Sequence, residues 1–535
     1  MIVLASKIME KNDSTFKQVG FASIIMMASV FASRIIGLGR EMTIAFSGGA
    51  GGEVDAYQVA FIVPEILNHI VASGFLSITF IPIFAAYIER NDEETGWRIF
   101  SLVFTTFGLL LVGVTLVCLW FAPELVSLLA PGFDDPALFR LAVRMTRIII
   151  PAQLFFFSGG LFMAVQFTKK RFFIPALAPL VYNLGIIVGG VALGPFLGME
   201  GFSWGVLGGA FVGNFLLQYH GAKNTGMRLR FIFDITHPEL VRYVVLTLPL
   251  MVGLTMTFST EILLKYFGSY LAEGSIAALN YGLRIMFILV GLFGQAVGVA
   301  SYPFMAKLAA QGKIDELNAL LNTTLKYLLL VIPVSVLFMV LRHEIILILF
   351  QRGRFGPDAT QVTAGILPFL LCGTFAFAAQ TVVVRGYYAM QNTWFPALFS
   401  TLAVILTLPV FYLLMGIMGA GGIALALSIA ATAQTLLLFE LWNRKSHNNG
   451  RGAVYRFLFS MTGLSLGTGF FLVKITAFLK TFINASTLFG ALSVSIITGL
   501  VFILVFSGAG YLFKIQEINQ FNHKLIQKLG RLFFS

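Results

Sequence analysis

Apolar residues in this chain run in blocks of helix length instead of alternating one by one. Alternation would place side chains on opposite faces of a strand and is the mark of a membrane barrel. Unbroken apolar stretches of about 20 residues match the length of an α-helix crossing a bilayer. Only a helix or a closed barrel satisfies its own backbone hydrogen bonds inside hydrocarbon. The pattern predicts an all-α polytopic membrane protein with about fourteen transmembrane helices. They fall at 20–46, 56–88, 99–121, 138–168, 173–195, 201–221, 238–269, 275–309, 318–341, 359–389, 393–415, 420–443, 456–479 and 485–513. Several exceed the bilayer thickness, as tilted helices do.

Composition removes the soluble alternative. Charged residues make up 11% of the chain and hydrophobic residues 58%, against about 25% charged for a hydrated globular surface. The net charge of +12 would suit a nucleic-acid surface, but its placement does not. Most Lys and Arg gather in the N-terminal tail, in alternate loops such as Lys169-Lys170-Arg171, Arg228 and Arg230, and beyond Lys514. That bias puts both termini in the cytoplasm and leaves no call for nucleic acid. Cys118 and Cys372 both lie in apolar segments and form no disulfide framework.

Two pairs of short strings repeat along the chain. Pro82 in Phe80-Ile-Pro-Ile-Phe84 has a counterpart in Pro303 of Ser301-Tyr-Pro-Phe-Met305, 221 positions on. Gln166 before Phe173-Ile-Pro-Ala-Leu177 has one in Gln391 before Trp394-Phe-Pro-Ala-Leu398, 225 positions on. Each pair is separated by six spans, so the repeat is parallel. The expected organisation is a tail over 1–19, a first lobe over 20–221, a cytoplasmic loop over 222–237, a second lobe over 238–443, two further helices over 444–513, and a basic tail over 514–535. Transporters built this way bind substrate at the interface of the repeats.

Charges inside spans carry the candidate chemistry, because each costs several kcal/mol in hydrocarbon unless it meets water or a partner. Arg34 and Arg40 flank Gly37 and Gly39 in the first span. Six residues splay two side chains by about 120° on an ideal helix. The glycines would relax that geometry and bring both guanidiniums to one cavity, where their planar forks suit a pyrophosphate. Glu41 and Asp55 are candidate ion-pair or gate partners, and Asp55 reads equally well as a helix N-cap. Glu261 and Lys265 stand at i, i+4 and share a face. Arg284 has no such local partner. Arg140, Arg144 and Arg147 form one stripe, suited either to lipid headgroups or to a cavity wall. Asn68 and His69 follow one another on the second span. No Walker A, HExxH, CxxC or GxSxG pattern occurs, so the chain is read as a transporter and not an enzyme. It requires no bound cofactor, and its driving force is the membrane potential, a monovalent cation or another gradient.

The motifs in combination resemble the MurJ (MviN) family of the MOP exporter superfamily. The matching segments are Ser33-Arg34-Ile-Ile-Gly37 with Arg40, Asp55-Ala-Tyr57 with Pro64, Arg171-Phe-Phe-Ile-Pro-Ala-Leu-Ala-Pro179 with Asn183, Leu279-Asn-Tyr-Gly-Leu-Arg284, and Arg385-Gly-Tyr-Tyr-Ala-Met-Gln-Asn-Thr393. The resemblance implies fourteen helices in two lobes around a cationic cavity, and flipping of lipid II, the undecaprenyl-pyrophosphate-linked peptidoglycan precursor, by alternating access. It implies substrate contacts by Arg34, Arg40 and Arg284, joined by Arg147 and Lys265, and the bilayer and a cell-wall synthesis complex as surroundings; Asn68 is a further candidate for substrate contact. Where the family carries an arginine pair in the second helix, this chain has Asn68 and His69. Other expectations for such a cavity are a flippase for a different polyprenyl-linked saccharide, such as an exopolysaccharide or O-antigen unit, and a MATE-like drug exporter. The exporter would want acidic cavity residues, and those here are mostly basic.

Overall fold

Long apolar runs close their own backbone hydrogen bonds. The computed structural model, which describes residues 2–69, 74–254, 259–515 and 517–519, is helical throughout with no strand among them. Eight of the described helices are long and apolar enough to cross a membrane. Pro357–Leu371 and Thr374–Ala389 add a ninth as a pair bent by 42°. The longest, Trp394–Ser446, holds two expected spans joined at Gly419. The expected spans 56–88 and 238–269 include residues 70–73 and 255–258, which lie outside the described residues. The expected span 201–221 is a helix from Glu200 that passes through a π-helical turn at Phe211–Leu216.

The chain divides into two compact units between residues 258 and 259. The first is centred on aromatic packing: Phe80, Phe84, Trp97, Phe100 and Phe162 are buried together, with Trp97 and Phe100 edge to face at 5.8 Å. Helix Pro238–Leu254 belongs to this unit, since its Leu240 and Tyr243 are buried in the same core. The expected inter-lobe loop 222–237 therefore lies inside the first unit. There Thr236 donates its hydroxyl (2.7 Å) and its amide (2.9 Å) to Asp234 Oδ1, holding that carboxyl below its ordinary range.

In the second unit Leu321, Val382, Tyr387, Trp442 and Met461 share a core. Helices Arg451–Phe482 and Leu488–Leu512 pack on this unit. A buried amide network fastens its helix ends. Trp442 Nε1 and Ser446 Oγ both donate to Asn318 Oδ1 at 2.9 Å, and Asn322 and Asn448 exchange reciprocal bonds of 2.8 and 2.9 Å.

Backbone conformation fixes the register of the repeat. Gly198 (φ 58, ψ −135) and Gly419 (φ 55, ψ −130) turn the chain back in the same conformation. Left-handed residues recur as Asn91 and Gly312, Lys170 and Gln391, and Gly226 and His447. Every one of these pairs is 221 positions apart, as are Pro82 and Pro303 and the helix starts Phe173 and Trp394. The 225-residue match of Gln166 with Gln391 is thus out of register, a coincidence of one residue type beside a true repeat. The real counterpart of Gln391 is Lys170, which closes its helix with the same Schellman bond: Arg171 N donates to Gln166 O at 2.8 Å and Asn392 N to Tyr387 O at 3.0 Å.

The helices on either side of Gly198 cross at glycines. A Cβ on Gly189 would collide with the Cα of Gly205, and one on Gly205 would come within 2.9 Å of Ile186 Cα. Small residues four apart let membrane helices approach to backbone contact.

Candidate functional site

The first helix runs unbroken from Ile2 to Gly48. Gly37 and Gly39 sit in its regular body, without positive φ, so the splay of Arg34 and Arg40 is kept and the expected relaxation is absent. A regular helix loses only about 1 kcal/mol per glycine and need not bend there. The two arginines accordingly do different things. Ser29, Ser33 and Arg40 face helix Phe173–Leu197. Ser29 Oγ donates to Ala176 O, Asn183 Nδ2 donates to Ser33 Oγ at 3.2 Å, and Arg40 Nη1 donates to Asn183 Oδ1 at 3.0 Å. Arg40 Nη2 also holds Glu41 Oε1 at 2.5 Å, and Glu41 is buried. Arg34 is exposed on another face.

The remaining first-unit candidates are placed mostly in structural contacts. Arg147 is exposed and donates Nε to Leu119 O at 3.1 Å. This caps the carbonyl end of helix Glu93–Trp120, where a cation is favoured. Arg144 pairs with Glu200 at 2.6 Å, at the start of helix Glu200–Ala210. Asp55 is buried within helix Gly52–Ala60, whose N-cap is Gly51, so the N-cap reading of Asp55 is corrected. Asn68 ends helix Ile62–Leu67 and is half-buried, as is His69.

In the second unit, Arg284 has no carboxylate on its own helix, as expected, but meets one on the helix before it. Its Nη1 lies 3.5 Å from Glu261 Oε1 and its Nε donates to Asn280 Oδ1 at 3.2 Å. Glu261 stands on helix Ser259–Gly268 and Arg284 on helix Ser275–Leu289. Spacing along one helix cannot show a contact made across two, so the local i, i+4 pairing with Lys265 hid it. Lys265 is only 1% exposed; its ammonium is enclosed in the unit's packing and does not line an open surface. One further guanidinium, which the sequence offered only as part of a family motif, is Arg385, half-buried within helix Thr374–Ala389. Among the described residues no three or more His, Cys, Asp or Glu are grouped to hold a metal ion.

The profile of the family described as "Lipid II flippase MurJ" matches residues 44–494. A probable lipid II flippase MurJ of Rhizobium tropici is 28% identical over 433 residues, covering 79% of this chain and 81% of the relative. The lipid II flippase MurJ of Burkholderia cenocepacia is 27% identical over 442 residues, covering 81% and 86%. That of Buchnera aphidicola subsp. Baizongia pistaciae, named as probable, is 26% identical over 511 residues, covering 94% and 98%. Among solved structures, a lipid II flippase MurJ in an inward closed conformation superposes with a TM-score of 0.73 at 24% identity, covering 91% of this chain and 99% of that one. An inward-facing multidrug resistance MATE transporter of the MOP superfamily gives 0.64 at 13% identity, covering 81% and 99%. These likenesses show the fold.

Proposed function

The chain belongs to the lipid II flippase MurJ family, and from that premise we propose that it translocates an undecaprenyl-pyrophosphate-linked peptidoglycan precursor across the bacterial cytoplasmic membrane by alternating access. The observation that carries the reading is Arg34, a guanidinium exposed within the membrane-spanning part of the first helix. A pyrophosphate offers such a group a planar, doubly charged acceptor. Arg284 adds a second cation, held by a carboxylate at 3.5 Å and side-chain exposed by 31%, so an anion can compete for it. The charged headgroup moves while the polyprenyl chain stays in lipid. The sequence carries no Walker A pattern, and we assign the driving force to the membrane potential or a monovalent cation gradient. The loop charge bias supports an orientation with both termini in the cytoplasm.

Complementation of a strain depleted of its own lipid II flippase tests the reading. Wild type restores growth, and Arg34→Ala and Arg284→Ala, expressed at the same level, do not. Failure of well-expressed wild type would sink the substrate assignment. Full rescue by both variants would sink the site.

A further inference from the structure

Helices Ala296–Ala310 and Thr374–Ala389 pack with Gly298 directly beneath Arg385. A Cβ on Gly298 would collide with Arg385 Nη1 and lie 3.3 Å from Thr381 Oγ1. The guanidinium therefore rests on bare backbone, with Tyr302 and Tyr388 as its polar neighbours. Its Nη1 is buried and has no hydrogen-bond partner. Among the described residues Arg385 makes no hydrogen bond and no ion pair. Arg40 and Arg284, by contrast, each hold a carboxylate. Enclosing a guanidinium without an acceptor is costly, and such groups persist where they have something else to bind.

The repeat shows that the fold does not need this arrangement. At the 221-residue register, Gly298, Tyr302, Arg385 and Tyr388 correspond to Ser77, Ile81, Ala164 and Phe167. In the first unit Ala164 is buried and Ile81 packs against the hydrophobic core, while Phe167 stacks on Phe172 at 5.7 Å. The same pair of helices thus carries Ile81, Ala164 and Phe167 in one unit where it carries two phenols and a guanidinium in the other.

We propose that Arg385, with the hydroxyls of Tyr302 and Tyr388, is an anion site that receives a lipid phosphate ester. The fork of Arg385 and two O–H donors suit phosphate oxygens, and Gly298 makes the room that lets the guanidinium lie at this crossing. Two sources share that chemistry: the pyrophosphate of the lipid-linked substrate, which rests on the function proposed above, and the headgroup of a bulk anionic phospholipid.

The test is native mass spectrometry of the full chain in detergent, titrated separately with undecaprenyl pyrophosphate, dioleoyl phosphatidylglycerol and undecaprenol, which lacks phosphate. Arg385→Gln is expected to weaken binding of a phosphate-bearing lipid by about tenfold to a hundredfold, the worth of a charge-assisted hydrogen bond, and to leave undecaprenol unchanged. Gly298→Ala keeps the charge but displaces it, and is expected to show the same loss. This second variant answers the case in which Arg385→Gln fails to fold. A loss confined to phosphatidylglycerol, with no binding of the pyrophosphate by wild type, keeps the site and overturns the proposed substrate. Unchanged affinity of both variants for both phosphate lipids overturns the site alone.

Discussion

Gly198 and Gly419 stand 221 residues apart and adopt one backbone conformation, φ 58, ψ −135 and φ 55, ψ −130. That region of the map is open almost only to glycine, because a Cβ would clash with the residue's own backbone. No neighbouring atom lies closer than 3.9 Å to a Cβ built at either position, so any penalty for adding one is conformational and not steric.

Substituting either residue isolates that term. Gly198→Ala and Gly419→Ala are each expected to destabilise the protein by about 1–3 kcal/mol. Gly194→Ala, three positions from the turn's own helix end and with open space around it, is expected to be neutral or mildly stabilising, as helix propensity favours Ala. Thermal unfolding of the purified variants in one detergent checks this. Equal melting temperatures for all three would show that the turn tolerates a side chain.

The glycine crossing makes a steric prediction instead. Gly205→Val places its Cβ 2.7 Å from Gly185 O and 2.9 Å from Ile186 Cα. Those are backbone atoms and cannot rotate away, so the two helices must separate. Loss of folded material is expected, read as a shift to aggregate in size-exclusion chromatography. Gly208→Ala lies on the open side of the same helix, with nothing within 4 Å, and is expected to elute as wild type.

Arg34 and Arg40 separate stability from transport. Arg40 spans Asn183 and the buried carboxylate of Glu41, and breaking a charge-assisted contact to a buried acid costs roughly 2 kcal/mol or more. Arg40→Ala should therefore lower the unfolding temperature as well as complementation. Arg34→Ala should abolish complementation with little change in melting, since its side chain is exposed. Identical melting losses for the two variants would place Arg34 in the packing as well.

How much of this was legible beforehand follows from range. Helix content, the membrane class and the existence of a repeat depend on local runs of side chains, and a reader of the sequence meets them directly. The register of the repeat was half legible: Pro82 and Pro303 fixed it, while Gln166 and Gln391 pointed four residues astray because composition alone cannot see φ. The site was the least legible part. Arg40 turns inward because Asn183, 143 residues later, accepts a hydrogen bond from it. Arg284 meets Glu261 from a neighbouring helix. Arg385 is set apart from other arginines only by Gly298, on another helix, which lies under its guanidinium. Each of these depends on which helix faces which, and periodicity within one helix carries no such information.

The contact between Glu261 and Arg284 gives the last prediction. At 3.5 Å, with both side chains partly exposed, the carboxylate is close enough to compete with an incoming phosphate for the same guanidinium. Partly solvated pairs of this kind are worth about 1 kcal/mol or less, so the competition is weak enough for a pyrophosphate to win. Glu261→Gln removes the competing charge and keeps the shape. Its affinity for undecaprenyl pyrophosphate is expected to rise by about fivefold, the equivalent of about 1 kcal/mol. Arg284→Ala is expected to lower it, and the double variant to bind like Arg284→Ala alone, because the competition is for the arginine. If Glu261→Gln bound no more tightly, or if the double variant fell well below Arg284→Ala, the pair would be a fixture of the fold and Arg284 would not exchange one anion for another.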